Sequence, residues 1–194
     1  MRIDGYRFIL AFDKLIKPKG NIYFGRGIGD FKKILVNSSK VNNNQFINEY
    51  FKRKVKNKIC ERFLVNFIKL SQKEYKDIFR EVFLNFDIPI NVEVLDKKKR
   101  MRVFAVELPY GIDKENKRLI ILKYYDKHKD IRNDNILLSL IEEFSVFNKE
   151  IKALEKVLFW DIYTGTCEER DINEVKPITR KRLINAANFC IKYY

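Results

Sequence analysis

Side chains suited to acid–base, nucleophilic or metal chemistry are few in this sequence and lie far apart. The single histidine, His128, stands in the charged run YYDKHKD, which is typical of a solvated surface segment. Cys60, Cys167 and Cys190 form no CxxC pair, so they indicate neither a zinc site nor a disulfide framework. A serine or cysteine nucleophile needs a neighbouring base, and only this histidine is a usual candidate. We therefore expect three free core thiols, no metal centre and no cofactor.

Two adjacent acid pairs, Glu142-Glu143 and Glu168-Glu169, are further candidates for acid–base chemistry. Neighbouring side chains point to different sides of a helix or a strand, so two carboxylates in sequence seldom face one substrate. Neither pair is therefore predicted to form a two-carboxylate catalytic site.

A glycine-rich segment, GRGIGD at residues 25–30, has the composition of a phosphate-binding loop. It lacks the GK[ST] ending of a Walker A motif and the spacing of a dinucleotide-binding GxGxxG. Its glycines would let backbone amides approach a phosphate, with Arg26, Lys32 and Lys33 nearby to neutralise the charge. The alternative is an ordinary turn or bulge that uses a positive φ. Both interpretations predict a loop.

The densest run of cations is FKRKVKNK at residues 51–58, which contains Lys52, Arg53, Lys54, Lys56 and Lys58. Apolar residues recur every four positions around it and predict a long helix over residues 43–70. Phe51 belongs to this apolar stripe, so we expect it in the core, with base stacking as the alternative. Cations on the opposite face repel one another by roughly 0.2–0.5 kcal/mol per i,i+4 pair. A bound polyanion would offset that repulsion, and a merely solvated face is the alternative.

A second basic cluster, Lys97, Lys98, Lys99 and Arg100, separates two predicted strands at 90–95 and 101–108. It predicts a basic hairpin tip. Such a tip either keeps the surface soluble or lies along a phosphate backbone.

A third basic cluster, Arg180, Lys181 and Arg182, follows Thr179, the expected N-cap of the last helix. Cations at a helix N-terminus cost about 0.3–1 kcal/mol each, because the helix dipole is positive there. A bound anion would reverse this cost, and full solvent exposure would reduce it.

Positive charge is concentrated in the first half of the chain. Residues 1–100 contain 23 Lys/Arg and 11 Asp/Glu, whereas residues 101–194 contain 17 and 15. A general preference for lysine would raise the positive charge of both halves, so the asymmetry favours a polyanion-binding surface. An acidic protein partner or an anionic membrane surface is the alternative. No secretory signal is visible and no segment approaches the ~20 apolar residues of a membrane span. We expect a cytoplasmic protein without membrane contacts.

Hydrophobic periodicity predicts an α+β protein with a mixed or antiparallel central sheet flanked by amphipathic helices. No repeat or long linker divides the chain, so we expect one domain over 1–194, with a basic N-terminal half (1–89) and an α/β core (90–194). A capping box at Ser71 and Glu74 marks the start of one helix. The predicted elements are a strand at 6–12, helices at 43–70 and 71–86, strands at 90–95, 101–108 and 119–125, a helix at 134–156, a strand at 157–163 and a helix at 179–194.

The order of elements over residues 90–194 resembles the core of the RecB-type PD-(D/E)XK nucleases. In that family an acid on a hairpin strand and a (D/E)-x-Lys on the next strand hold a metal. Lys123 matches the lysine, Glu107 or Asp113 would supply the first acid, and Ile121 replaces the second acid. The resemblance implies a degenerate site, and Mg²⁺ only if the protein cleaves.

These observations together predict a non-catalytic nucleic-acid-binding protein, DNA or RNA, that is a subunit of a nucleoprotein complex. The basic helix and the basic hairpin would contact phosphates. One alternative is a metal-dependent or inactivated PD-(D/E)XK-like nuclease. A second alternative is a protein-interaction subunit whose basic face binds an acidic partner.

Overall fold

The computed structural model describes residues 1–12, 26–38, 51–52, 57–74, 83–85, 89–95, 98–123, 131–175 and 177–193. Helices and strands both contribute to the core, so the predicted α+β class is confirmed. No helix in these ranges is both long enough and apolar enough to cross a membrane. His128 and Lys97 lie outside the described residues. Residues 43–50 and 53–56 of the helix predicted over 43–70 lie outside them as well.

The bounds of the helices and strands in the described residues are as follows. They are α1 (Gly5–Phe12), α2 (Arg26–Ser38), α3 (Lys58–Glu74), α4 (Ile131–Phe144), α5 (Asn148–Ile151) and α6 (Arg180–Tyr193). The strands are β1 (Arg2–Asp4), β2 (Phe83–Asn85), β3 (Ile90–Leu95), β4 (Met101–Glu107), β5 (Tyr110–Asp113), β6 (Arg118–Lys123), β7 (Lys156–Asp161) and β8 (Thr166–Asp171).

The larger sheet has five strands in the order β2-β5-β6-β7-β8. Only β6 and β7 pair in parallel, and α4 and α5 lie in the connection between them, as a parallel pair requires. Leu119–Leu122 of β6 are all buried, a continuous apolar run that fits a strand covered on both faces. The sheet is therefore mixed, as predicted.

The smaller sheet has three strands in the order β1-β4-β3. β3 and β4 form an antiparallel hairpin, and β1 pairs in parallel with β4. One face is buried, since Ile90, Val92 and Val94 alternate with exposed residues along β3. Helices α4 and α6 pack against β3, and α1 packs against α6. This sheet was not distinguished from the larger one by the sequence.

Helix α3 shows why apolar spacing produces a helix here. Cys60, Phe63, Phe67 and Leu70 are buried at intervals of three and four residues, which places them on one face. Phe67 meets Trp160 of β7 edge to face, with ring centroids 5.9 Å apart. Buried side chains of both sheets and of every helix join in one hydrophobic cluster.

Two predicted elements at the N-terminal side are wrong. Residues 6–12 were expected to form a strand, but they lie in α1, where Gly5, Phe8 and Ile9 are buried and Phe12 is half-buried. That spacing of three, four and seven residues is helical, and the aromatic and branched composition concealed it. The glycine-rich segment is not a loop over residues 26–30, because α2 begins at Arg26.

The predicted helix over 43–70 does not extend continuously through the basic run. Asn57 is not helical, and its Oδ1 accepts hydrogen bonds from the backbone N–H groups of Ile59 (2.9 Å) and Cys60 (3.4 Å). This is the geometry of an N-cap, so α3 begins at Lys58. Lys52 and Lys58, the described cations of this run, therefore do not lie on one continuous helix. Phe51 is 70 % exposed, so its predicted core position is wrong.

The capping box at Ser71 and Glu74 is also wrong. Ser71 is buried inside α3, and its hydroxyl donates a hydrogen bond of 2.8 Å to the Ile68 carbonyl, so the helix continues to Glu74. Residues 83–85 form β2 instead of the end of a helix. The helix expected over 134–156 is divided into α4 and α5, and β5 and β8 were not predicted.

Candidate functional site

The predicted basic hairpin tip is present between β3 and β4. Lys98, Lys99 and Arg100 are exposed, and so is Arg102 on β4. Lys99 has a φ of 55°, a left-handed conformation that closes the turn. β1 pairs with β4 along residues 105–107, and Met1 forms backbone hydrogen bonds with Val103 and Ala105, so the hairpin is a two-stranded ribbon only from Arg102 to the turn. Arg102 pairs with the buried Val94 and therefore lies on the opposite face of the ribbon from Met101 and Val103.

The outer face of this ribbon carries apolar side chains that the sequence analysis did not identify. Leu95 and Met101 are direct cross-strand partners and are 59 % and 61 % exposed. Val103 follows on the same face and is 49 % exposed. Buried and exposed side chains alternate along β3, which places Val94 in the core and Leu95 in solvent. The sequence signal that could have revealed this face is an apolar residue at a strand position whose alternation points it to solvent.

The cations of the last helix have intramolecular contacts. Arg180 lies 3.6 Å from a Glu143 carboxylate oxygen and 4.6 Å from the ring centroid of Phe144. Arg182 lies over the Phe12 ring at 5.1 Å, while Lys181 is exposed. The helix begins at Arg180 directly after Thr179, as expected. Two of these three cations thus help to hold α6 against its neighbours.

The cations around α2 are likewise divided between the surface and the fold. Lys32 Nζ lies 3.4 Å from Glu107 Oε2, and Arg2 also contacts that carboxylate, whereas Lys33 is exposed. A Cβ on Gly27 would lie 2.7 Å from Asn57 Oδ1, so this glycine permits close approach of α2 to the start of α3. The segment is a helix-packing feature, and the predicted phosphate loop is wrong.

The basic run at 52–58 is only partly described. Lys52 and Lys58 are exposed, and Arg53, Lys54 and Lys56 lie outside the described residues, as does the Arg26 side chain. Lys58 is the first residue of α3. The N-cap at Asn57 shows that α3 does not continue through residue 57 toward Lys52.

Lys123, the candidate catalytic lysine, belongs to a buried ion cluster. Its Nζ lies 2.5 Å from Asp134 Oδ1, and Arg170 Nη2 lies 3.0 Å from Asp134 Oδ2. Only 3 % of the Asp134 side chain and 12 % of the Lys123 side chain are exposed. Burial raises the pKa of Asp134, while the two cations act in the opposite direction. The cluster joins β6, α4 and β8.

Neither candidate acid is brought to Lys123. Asp113 pairs in register with Arg118, five residues along β6 from Lys123, which corresponds to about 16 Å at the strand rise. Its carboxylate accepts hydrogen bonds from the backbone N–H and the side-chain amide of Asn116, so it closes the β5–β6 turn. Glu107 contacts Arg2 and Lys32 instead.

The residues that do surround Lys123 were missed by sequence reasoning. Asp134 was read as a helix start and Arg170 was in no predicted element, because their burial depends on neighbours that are distant in sequence. Within the part of the chain that the structure describes, no group of three or more His, Cys, Asp or Glu side chains could hold a metal ion. The ion pairs of the cluster connect β6, α4 and β8.

Comparison with known proteins adds no family to this geometry. No protein-family model matches the chain, and no curated protein matches it. Any functional conclusion therefore depends on the surface and the site described above.

Proposed function

We propose that this protein binds nucleic acid without cleaving it, as a subunit of a nucleoprotein complex, through the β3–β4 hairpin. One observation carries the proposal: Lys98, Lys99, Arg100 and Arg102 are exposed together on a two-stranded ribbon. The chain from 97 to 103 contains no acid. A cationic ribbon of this kind suits contact with a phosphate backbone.

The sequence of the hairpin differs from that of the other cationic surfaces, because residues 97–100 are four consecutive cations. Lysines and acids are mixed around β6–β7, where Lys117 and Lys156 lie within 2.6 Å of Glu155 and Glu169 respectively. Mixed signs are typical of a solvated surface, whereas a run of one sign is typical of an interaction surface. The net charge of +14 adds long-range attraction for any polyanion.

The test is a salt-titrated binding panel of single- and double-stranded DNA and RNA, run with and without Mg²⁺. The K98Q/K99Q/R100Q/R102Q variant should lose at least tenfold in affinity near 0.1 M salt. Each lost phosphate contact lowers the slope of log K against log salt by about 0.9 on duplex DNA, so the slope should fall by roughly 3–4.

The matched control is K69Q/K114Q/K149Q/K152Q, which removes the same charge from other exposed positions. It should retain wild-type affinity within about threefold, because long-range attraction alone is weak at this salt. Equal losses in both variants would show that only net charge matters, and no binding by the wild type would exclude the proposal. Mg²⁺-dependent products would favour the nuclease alternative.

A further inference from the structure

Apolar side chains are exposed on the outer face of the basic ribbon. Among the described residues, eight large apolar side chains are exposed, and three of them, Leu95, Met101 and Val103, share the outer face of this hairpin. A fourth, Met1, is adjacent, because the Met1 amino group donates a hydrogen bond to the Val103 carbonyl. Single exposed apolar residues are ordinary, but a contiguous group marks an interaction surface.

The position of this group relative to the cations restricts what it can contact. Leu95 and Met101 face each other across the ribbon at the point where the cationic turn begins. Asp96 follows Leu95 in the sequence, and Glu93 lies opposite Val103 on the same outer face. A partner must therefore offer an apolar surface for the outer face and anionic groups for the cations of the turn.

We infer that the ribbon binds double-stranded nucleic acid by entering a groove, with Leu95, Met101 and Val103 against the bases and the turn cations on the flanking phosphates. This inference rests on the proposed function and specifies its substrate class. Duplex grooves have phosphates along both edges and base edges within, and a two-stranded ribbon fits the ~12 Å width of the major groove. Leu and Met side chains are also used as wedges between base steps in the minor groove.

A single-stranded nucleic acid fits the ribbon less well. Non-specific single-strand binders stack bases on aromatic rings, and residues 95–103 contain no aromatic side chain. An anionic membrane surface is distinguished from a duplex by the vesicle measurement below.

The test uses the L95T/M101Q/V103T variant. It keeps the hairpin cations and replaces the three apolar side chains with polar ones. Its affinity for a 20-base-pair duplex should fall at least tenfold, while the slope of log K against log salt stays unchanged, because no phosphate contact is removed. The wild type should bind the matching single strand at least tenfold more weakly than the duplex.

The matched control is I59Q/V65Q/V146Q, which removes three exposed apolar side chains elsewhere and should keep wild-type duplex affinity. Circular dichroism establishes that each variant is folded. The charge variant K98Q/K99Q/R100Q/R102Q tests the proposed function separately. Lost binding in the charge variant together with unchanged duplex affinity in L95T/M101Q/V103T would support nucleic-acid binding and contradict the groove inference.

Three outcomes would overturn the groove inference. The first is duplex affinity that is unchanged in L95T/M101Q/V103T. The second is single-strand binding at least as tight as duplex binding and lost in F51A, which would indicate stacking on the exposed Phe51 ring. The third is tighter binding to vesicles of phosphatidylcholine and phosphatidylserine (3:1) than to the duplex, lost in the apolar variant.

Discussion

Lys123 Nζ and Asp134 Oδ1 lie 2.5 Å apart, so the last residue of β6 is joined to the first turn of α4 by a buried ion pair. Arg170 of β8 contacts the other oxygen of the same carboxylate at 3.0 Å. Asp134 thus contacts two cations, and both cations lie 5.3 Å from the Phe159 ring centroid. Arg170 also contacts Glu168 at 2.5 Å, so Asp134 is the buried carboxylate of the cluster and Glu168 is its largely exposed one.

We expect Asp134→Asn to lower the free energy of unfolding by about 3–5 kcal/mol, because it leaves Lys123 buried without its counter-charge and leaves Arg170 with only its contact to Glu168. Urea unfolding followed by the fluorescence of Trp160, the one tryptophan and fully buried, measures this loss. The control K123M/D134L/R170M removes the three buried charges, leaves the largely exposed Glu168, and should be close to neutral. A loss below about 1 kcal/mol in Asp134→Asn would contradict the assigned role.

Glu142 should make the protein less stable as the pH rises. Burial raises the pKa of this carboxyl above its ordinary 4.5, so the folded state binds its proton more tightly than the unfolded state does. Stability contributed by the protonated form is present below pH 4.5 and is lost as the pH rises through the folded value. Glu142→Gln should therefore be more stable than the wild type at pH 7 and equal to it below pH 4.5. Denaturant midpoints between pH 4 and 8 test this, and a pH-independent difference would refute it.

Gly27→Ala should destabilise the contact between α2 and α3 by about 1–3 kcal/mol, because its Cβ would lie 2.9 Å from Ile59 Cβ and 3.1 Å from the Cys60 backbone nitrogen. Gly29→Ala is the matched control two residues away, where an added Cβ meets nothing within 4 Å. That substitution should stabilise the helix by about 0.5–1 kcal/mol. Thermal unfolding of both variants compares them directly, and equal effects would disprove the close approach.

The three thiols should differ in reactivity. Cys60 and Cys190 are buried, burial raises the pKa of Cys190 to about 12, and Cys167 is half-exposed. The thiolate is the reactive form, so iodoacetamide at pH 8 should modify Cys167 first. Peptide mass spectrometry identifies the order, and guanidinium-denatured protein should react at all three positions. Early modification of Cys190 would be inconsistent with its position in the core.

Local patterns in the sequence were sufficient for several elements near the site. The hairpin from Ile90 to the end of β4, the apolar strand β6 and the final helix follow from alternation, continuous apolar runs and helical spacing. The cations at 98–100 were correctly predicted at a hairpin tip, because a short basic cluster between two strand patterns is most simply a turn. The start of α3 was missed although Asn57 is a good N-cap residue, since the longer apolar stripe dominated the interpretation.

The sequence by itself determined the α+β class, the basic hairpin tip and the lack of paired cysteines, because each depends on composition or on residues close together in the chain. Only the tertiary structure decided that residues 6–12 are helical, that Phe51 is exposed and that Asp134 lies between Lys123 and Arg170. Those outcomes depend on packing between elements far apart in sequence, where burial outweighs local propensity. The apolar face of the ribbon was also decided by the tertiary structure, since only the register of β3 with β4 places Leu95 beside Met101.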